Sequence, residues 1–160
     1  MHYTYRMGAL SDETTALISQ TVHALVPDAH FVALFGSFAT ESVRPFSDID
    51  LALCVPDDLD VLVLGNLMGI LEARTERAVD VVLVRGLPER DPELAFAIAR
   101  DGVPIAEYCS GSWALFKKQA FLYYMDTEHL RSRIRAALRA RVLSGNMGRR
   151  NFVLGEQEGV

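Results

Sequence analysis

The sequence predicts an α/β (α+β) fold: a small mixed sheet with helices packed on it, followed by a C-terminal helical segment. Three observations carry this expectation. Short apolar, β-branched runs alternate with longer stretches of helical period. Pro, Gly and Asp punctuate the joins between them. After residue 110 the strand-like runs stop, and apolar and basic residues recur at helical spacing.

Taken in order, Ser11 is a candidate N-cap, with Asp12 and Glu13 suited to a first turn. The helix runs to about Leu25 on a stripe of Leu17, Ile18, Val22 and Leu25, and Pro27-Asp28 ends it. His23 has no second His or Cys near it at a metal spacing, so it reads as a surface or half-buried polar residue. A first strand spans about 30–35, and 37–43 follows as a short helix. A second strand carries Asp48 to Leu53. Pro56-Asp57-Asp58 closes it and opens a helix capped by Asp57 or Asp58, with Leu64, Leu67, Met68 and Leu71 buried. The acidic group Asp57, Asp58 and Asp60 reads as cap and dipole complement. A third strand covers about 78–84. A loop covers 88–92, a short helix 93–99, and an edge-like strand holding Pro104 covers 103–108. Ser112 caps a long helical region to about Leu143, with a break near Asp126-Thr127. The expected organisation is a core at 1–110, a helical region at 111–145 that packs on the core or on a partner, and a mobile tail at 146–160.

Half of the 160 residues are hydrophobic, which suits a compact core and argues against wholesale disorder. No apolar run approaches the ~18 residues that span a membrane. The opening Met1-His-Tyr-Thr-Tyr-Arg lacks the apolar centre of a signal peptide. The two cysteines, Cys54 and Cys109, make neither a disulfide framework nor a metal knuckle. Both read as buried small hydrophobes, and a reducing cytoplasm is the expected setting. The net charge of −5 conceals an asymmetry. Residues 1–110 hold 7 basic and 17 acidic side chains, whereas 111–150 hold 9 basic and 2 acidic. In the basic part, Leu130, Ile134, Leu138 and Val142 form an apolar ridge beside a ridge of Arg131, Arg135 and Arg139.

The stretch from Leu34 to Leu53 carries the chemistry. Val32-Ala-Leu-Phe35 reads as a strand that runs directly into Gly36-Ser37. Gly36 lets the backbone approach a ligand closely, and free N–H groups with a hydroxyl suit phosphate oxygens. Asp48 and Asp50 stand two residues apart in an otherwise apolar strand, so both carboxylates project from one face, roughly 6.6 Å apart along the chain. Like charges so close raise each other's pKa unless a cation lies between them. Oxygen donors select a hard divalent ion such as Mg²⁺. A phosphate cradle beside a carboxylate metal site is equipment for phosphoryl or nucleotidyl transfer.

The order Gly36-Ser37, ten residues, then Asp48-Ile49-Asp50 resembles the signature of the polymerase-β-type nucleotidyltransferase superfamily. That resemblance implies the nucleotidyltransferase fold and a third carboxylate on a later strand, which Asp80 supplies within Ala78-Val-Asp-Val-Val-Leu-Val84. The size and the phrase Ser47-Asp-Ile-Asp-Leu51 are most similar to the minimal nucleotidyltransferase (MNT) group, antitoxins paired with HEPN-domain toxins. It implies Asp48, Asp50 and Asp80 as metal ligands and catalytic groups for two Mg²⁺ ions. It also implies Gly36 and Ser37 as nucleotide-binding residues, ATP as substrate, and transfer of AMP to a tyrosine of a HEPN ribonuclease toxin. Asp80 is then a candidate general base. Two positions depart from the pattern: Glu41 stands where many relatives have Gly, and Phe38 where Arg is common.

Two rival readings remain at this level. One is a nucleotidyltransferase acting on a small molecule, for which some fifty C-terminal residues are a small acceptor domain. The other is an antitoxin that inhibits by binding alone. Direct nucleic-acid binding through the arginine ridge is disfavoured by the acidic remainder and by the lack of an aromatic platform beside it.

Overall fold

The structure is a computed structural model that describes residues 10–143, with backbone alone at Arg135 and Arg141. The N-terminal hexapeptide, the helix stop at Ser144-Gly145 and the tail at 146–160 lie outside the described residues. The elements are α1 (Asp12–Leu25), β1 (Phe31–Phe35), α2 (Gly36–Ala39), β2 (Ile49–Cys54), α3 (Val61–Thr75), β3 (Val79–Leu83), α4 (Leu87–Arg90), α5 (Pro92–Asp101), β4 (Val103–Glu107), α6 (Ser112–Asp126) and α7 (Glu128–Leu143). Four strands form one mixed sheet in the order β3-β2-β1-β4. β1 is antiparallel to both β2 and β4, whereas β2 and β3 are parallel and joined through α3. A parallel pair needs such a crossover, because a hairpin cannot return the chain in the same direction.

Alternation along the strands splits the core between two faces. Val32, Leu34, Ile49, Leu51, Leu53 and Val79 pack with Ile18 and Val22 of α1 and Leu67 and Leu71 of α3. Phe31, Ala33 and Ala52 face the other way, against Ala95, Ile98 and Ala99 of α5 and Trp113, Phe116 and Ala120 of α6. Burying a large apolar side chain contributes roughly 1.5–3 kcal/mol, so these two layers hold the sheet. β4 is an edge strand, and Pro104 is accommodated there beside a register shift at Val32/Ala33.

Helix starts follow side-chain capping. The Ser11 hydroxyl accepts from the Thr14 amide at 3.2 Å. For α3 the cap is Asp60, accepting from the Leu62 amide at 2.7 Å, instead of Asp57 or Asp58. Asp58 pairs with Arg85 at 3.2 Å on the exposed surface. The loop expected at 88–92 is two helical pieces. Pro88 and Pro92 both stand in first turns, where a fixed φ and a missing N–H are harmless, and Asp91 caps the second piece by accepting from the Leu94 amide at 3.0 Å.

The chain divides into two compact units, Met1–Met125 and Asp126–Val160. α6 therefore belongs with the sheet unit, beyond the boundary expected at residue 110. In the second unit the α7 ridge is exposed, with Leu130, Ile134, Leu138 and Val142 each about half accessible. Among the described residues no helix is long and apolar enough to cross a membrane.

α3 ends at Glu76, which adopts a left-handed conformation (φ 55°) while its N–H donates to the Glu72 carbonyl at 2.9 Å. A residue with a Cβ is strained there by about 1 kcal/mol or more. Glu76→Gly is expected to raise stability by about 1 kcal/mol in urea denaturation. A loss of stability would show that the Glu76 side chain contributes more than the strain it carries.

Candidate functional site

The site lies at one end of the sheet, where β1 finishes and β2 and β3 begin. Phe35, the last residue of β1, is opposite Asp50 in β2, and Asp50 is opposite Asp80 in the parallel β3. Alternation puts both carboxylates on the face shared with Ala33, Ala52 and Val82. Asp50 is half-buried and Asp80 is exposed. Asp48 was expected within the strand. It lies just before it, exposed, at the end of the loop that leads into β2. The structure thus brings Asp50 and Asp80 together by strand register and brings in Asp48 from a loop.

Gly36 follows β1 directly and has φ +67°. A Cβ at this position would lie 2.1 Å from Oδ2 of Asp50 and 2.9 Å from its Cγ. Both the conformation and the space disfavour a residue with a Cβ, which would strain the backbone and force the Asp50 side chain to shift. The backbone turn at Gly36-Ser37 is therefore pressed against the Asp50 carboxylate. The helix expected over 37–43 is a single turn, Gly36–Ala39, so its contribution is local N–H groups and not a summed helix dipole. Phe38 is buried in the core. The chain leaves the turn through Thr40, whose hydroxyl is 2.8 Å from that of Ser42, and through Glu41 at φ +57°. The left-handed conformation that glycine favours is retained here by a glutamate.

Burial pushes the Asp50 carboxyl above its ordinary pKa, and the charges of Asp80 and then Asp48 push it the same way. The ion pairs found among the described residues, Arg85–Asp58 and Arg100–Asp101, leave the three acids untouched. Among the described residues no group of three or more His, Cys, Asp or Glu side chains is arranged to hold a metal ion by itself. The expected ligand set is thus not a closed protein cage. It is a strand pair of carboxylates with a third on a loop, all hard oxygen donors, concentrating uncompensated negative charge. That donor set fits Mg²⁺, which is usually held by one or two carboxylates together with substrate phosphates.

Two cavities bear on the assignment. One, about 470 Å³, lies beside Asp48 and is lined by Phe46, Ser47, Glu76 and Arg77 among others. Phe46 is 95% exposed. Neither Phe46 nor Arg77 stood out in the sequence, although a lone large aromatic in a polar loop was a usable signal. The other cavity, about 320 Å³, is at the opposite end of the sheet and includes His30, Cys54 and Arg85. Burial, and secondarily Cys109, pushes the Cys54 thiol up to about 11, so it is an inert thiol. Cys109, expected to be buried, is exposed. His23 is a surface residue stacked on Tyr108, with ring centroids 5.4 Å apart.

Residues 19–109 match the family model described as polymerase beta, nucleotidyltransferase. No curated protein matches the chain. Among solved structures it is similar to a toxin–antitoxin structure with AMP-PNP, at TM-score 0.69 and 21% identity, covering 80% of this chain and 98% of that one. It is also similar to a chain from the tri-AMPylated Shewanella oneidensis HEPN toxin in complex with MNT antitoxin, at TM-score 0.67 and 20% identity, covering 81% and 98%. A toxin–antitoxin MntA–HepT structure matches at TM-score 0.66 and 20% identity, covering 80% and 98%. At these identities the likeness is one of fold.

Gly36→Ala is expected to cost about 1–3 kcal/mol in chemical denaturation, because it forces strain and displaces Asp50. A neutral effect would contradict the close approach. The folded-state pKa of Asp50 lies above its unfolded value, so its contribution to stability is present at low pH and is lost as pH rises through the raised value. Asp50→Asn should therefore flatten the fall in Tm with rising pH in metal-free protein. An unchanged pH profile would place the strain elsewhere.

Proposed function

The chain belongs to the polymerase beta nucleotidyltransferase family, and from that premise we propose that it is an MNT-type antitoxin. In this reading it is a protein adenylyltransferase that moves AMP from ATP to a tyrosine of a cognate HEPN ribonuclease toxin and so silences it. The observation that carries the transferase part is the register pairing of Asp50 with Asp80, directly against the Gly36 backbone. The fold shared with chains from toxin–antitoxin structures supports the antitoxin part.

Each residue has a role that its placement suits. Asp48, Asp50 and Asp80 would hold Mg²⁺, which when bound neutralises the triphosphate and lowers the pKa of the attacking hydroxyl. The N–H groups of the Gly36-Ser37 turn and the Ser37 hydroxyl bind the phosphate tail and orient the α-phosphate. Asp80 is exposed on an edge strand, where an incoming hydroxyl can reach it, and it accepts the tyrosine proton. The tyrosine oxygen forms its bond to the α-phosphorus as the bond to the bridging oxygen breaks, and pyrophosphate leaves. The exposed apolar ridge of α7 is the surface offered to the toxin.

Incubation with ATP, Mg²⁺ and the HEPN protein encoded beside this chain's gene, followed by mass measurement of both chains, tests the reading. AMP units should appear on the partner, and Asp50→Asn or Asp48→Asn should abolish the gain while the fold persists. Tight complex formation with no mass gain would replace transfer by inhibition through binding alone. A gain on a small molecule and not on the partner would replace the antitoxin by a small-molecule transferase.

A further inference from the structure

We propose that Arg77 is a positioning residue that clamps the Asp48 loop to the phosphate-binding turn. The left-handed Glu76 turns the chain sharply after α3, and Arg77 lies two residues before β3. It is half-buried. Its Nη1 donates to the Ser47 carbonyl at 3.3 Å and to the Pro45 carbonyl at 3.5 Å. Its guanidinium carbon lies 5.3 Å from the centroid of the Phe38 ring. Phe38 is itself buried and sits two residues after Gly36. One planar group therefore bonds the loop that ends in Asp48 and stacks on the turn that begins at Gly36.

Val43 packs against the core near the start of the loop, but little else fixes the part that leads to Asp48. Asp48 precedes β2, and the first bond tying this end of β2 to the chain before β3 is from the Ile49 amide to the Ala78 carbonyl, at 2.9 Å. Within the loop, the Arg44 amide donates to the Ser47 hydroxyl at 2.8 Å, and the Ser47 amide donates to the Arg44 carbonyl at 3.0 Å. These shape the loop without anchoring it. Phe46, almost wholly exposed, adds no packing. Among the described residues, the side-chain hydrogen bonds that reach this loop from another element are those of Arg77. The Ser47 carbonyl belongs to the peptide unit that also carries the Asp48 N–H, so holding it sets the direction in which Asp48 leaves the backbone. Lysine is a poor substitute, because a compact ammonium lacks the planar fork and stacks less well.

The clamp stands on geometry alone, whereas its consequence for metal ions rests on the transferase reading. The test compares wild type, Arg77→Ala and Arg77→Lys by amide hydrogen exchange at Arg44 and Ser47, whose N–H groups are the bonded ones in the loop, and by Mn²⁺ titration with a nucleotide analogue. Both variants should speed exchange of those two amides by about tenfold, leave β2 and β3 protected, and weaken Mn²⁺ binding at least about tenfold. Unchanged exchange overturns the clamp, and faster exchange with unchanged Mn²⁺ affinity overturns its consequence for metal binding. Wild-type behaviour of Arg77→Lys overturns the clamp too, in favour of charge alone. A wild-type chain that binds no Mn²⁺ overturns the transferase reading, and the exchange data still decide the clamp.

Discussion

The close approach of the Asp50 carboxylate to the backbone at Gly36 is the constraint on which the site depends. It requires a residue without a Cβ, in a left-handed conformation, at the moment the chain leaves β1. It also requires antiparallel pairing that sets Phe35 against Asp50, and parallel pairing that sets Asp50 against Asp80. A one-residue slip in either ladder would turn a carboxylate into the opposite, fully apolar layer. The two hydrophobic layers therefore act as the register lock of the site. Ile49 and Leu51, buried on either side of Asp50, leave it one face to occupy.

That arrangement stores unfavourable electrostatics. A strand pair of carboxylates, one half-buried, stands at the end of the sheet with a third on the adjoining loop, and the ion pairs among the described residues leave all three untouched. Folding tolerates this because the apolar layers outweigh it, and the site is thereby prepared for positive charge from outside. Perturbed carboxylates held by a rigid scaffold are characteristic of sites that bind or react. The loop carrying Asp48 stands outside the strand ladder, and the Arg77 guanidinium bonds it from the chain before β3.

Much of this was legible in the sequence, for identifiable reasons. The four strands and the α1 and α3 stripes followed from apolar period, since Ile18, Val22, Leu67 and Leu71 stand where periodicity puts them. Gly36 and Asp50 were noticeable because each ends or interrupts an apolar run, whereas Asp80 was singled out by the resemblance, which implies a third carboxylate on a later strand. Other features depend on tertiary context. Asp60 outcompeted Asp57 and Asp58 as a cap because the helix starts later than Pro56 suggests. Two prolines that read as loop markers initiate helices instead. The break near Asp126-Thr127 was readable, but that α6 packs with the sheet was not, because Trp113, Phe116 and Ala120 complete the second face of the sheet, which composition alone does not reveal. Arg77 was invisible because its partners are backbone carbonyls thirty residues away and one buried ring.

The most direct measurement is anomalous scattering from crystals of the chain grown with Mn²⁺ and a non-hydrolysable ATP analogue. The account predicts manganese bound between Asp50 and its neighbours Asp48 and Asp80, with the phosphates against the Gly36-Ser37 backbone. Manganese bound elsewhere, or a triphosphate lodged away from that turn, would contradict it.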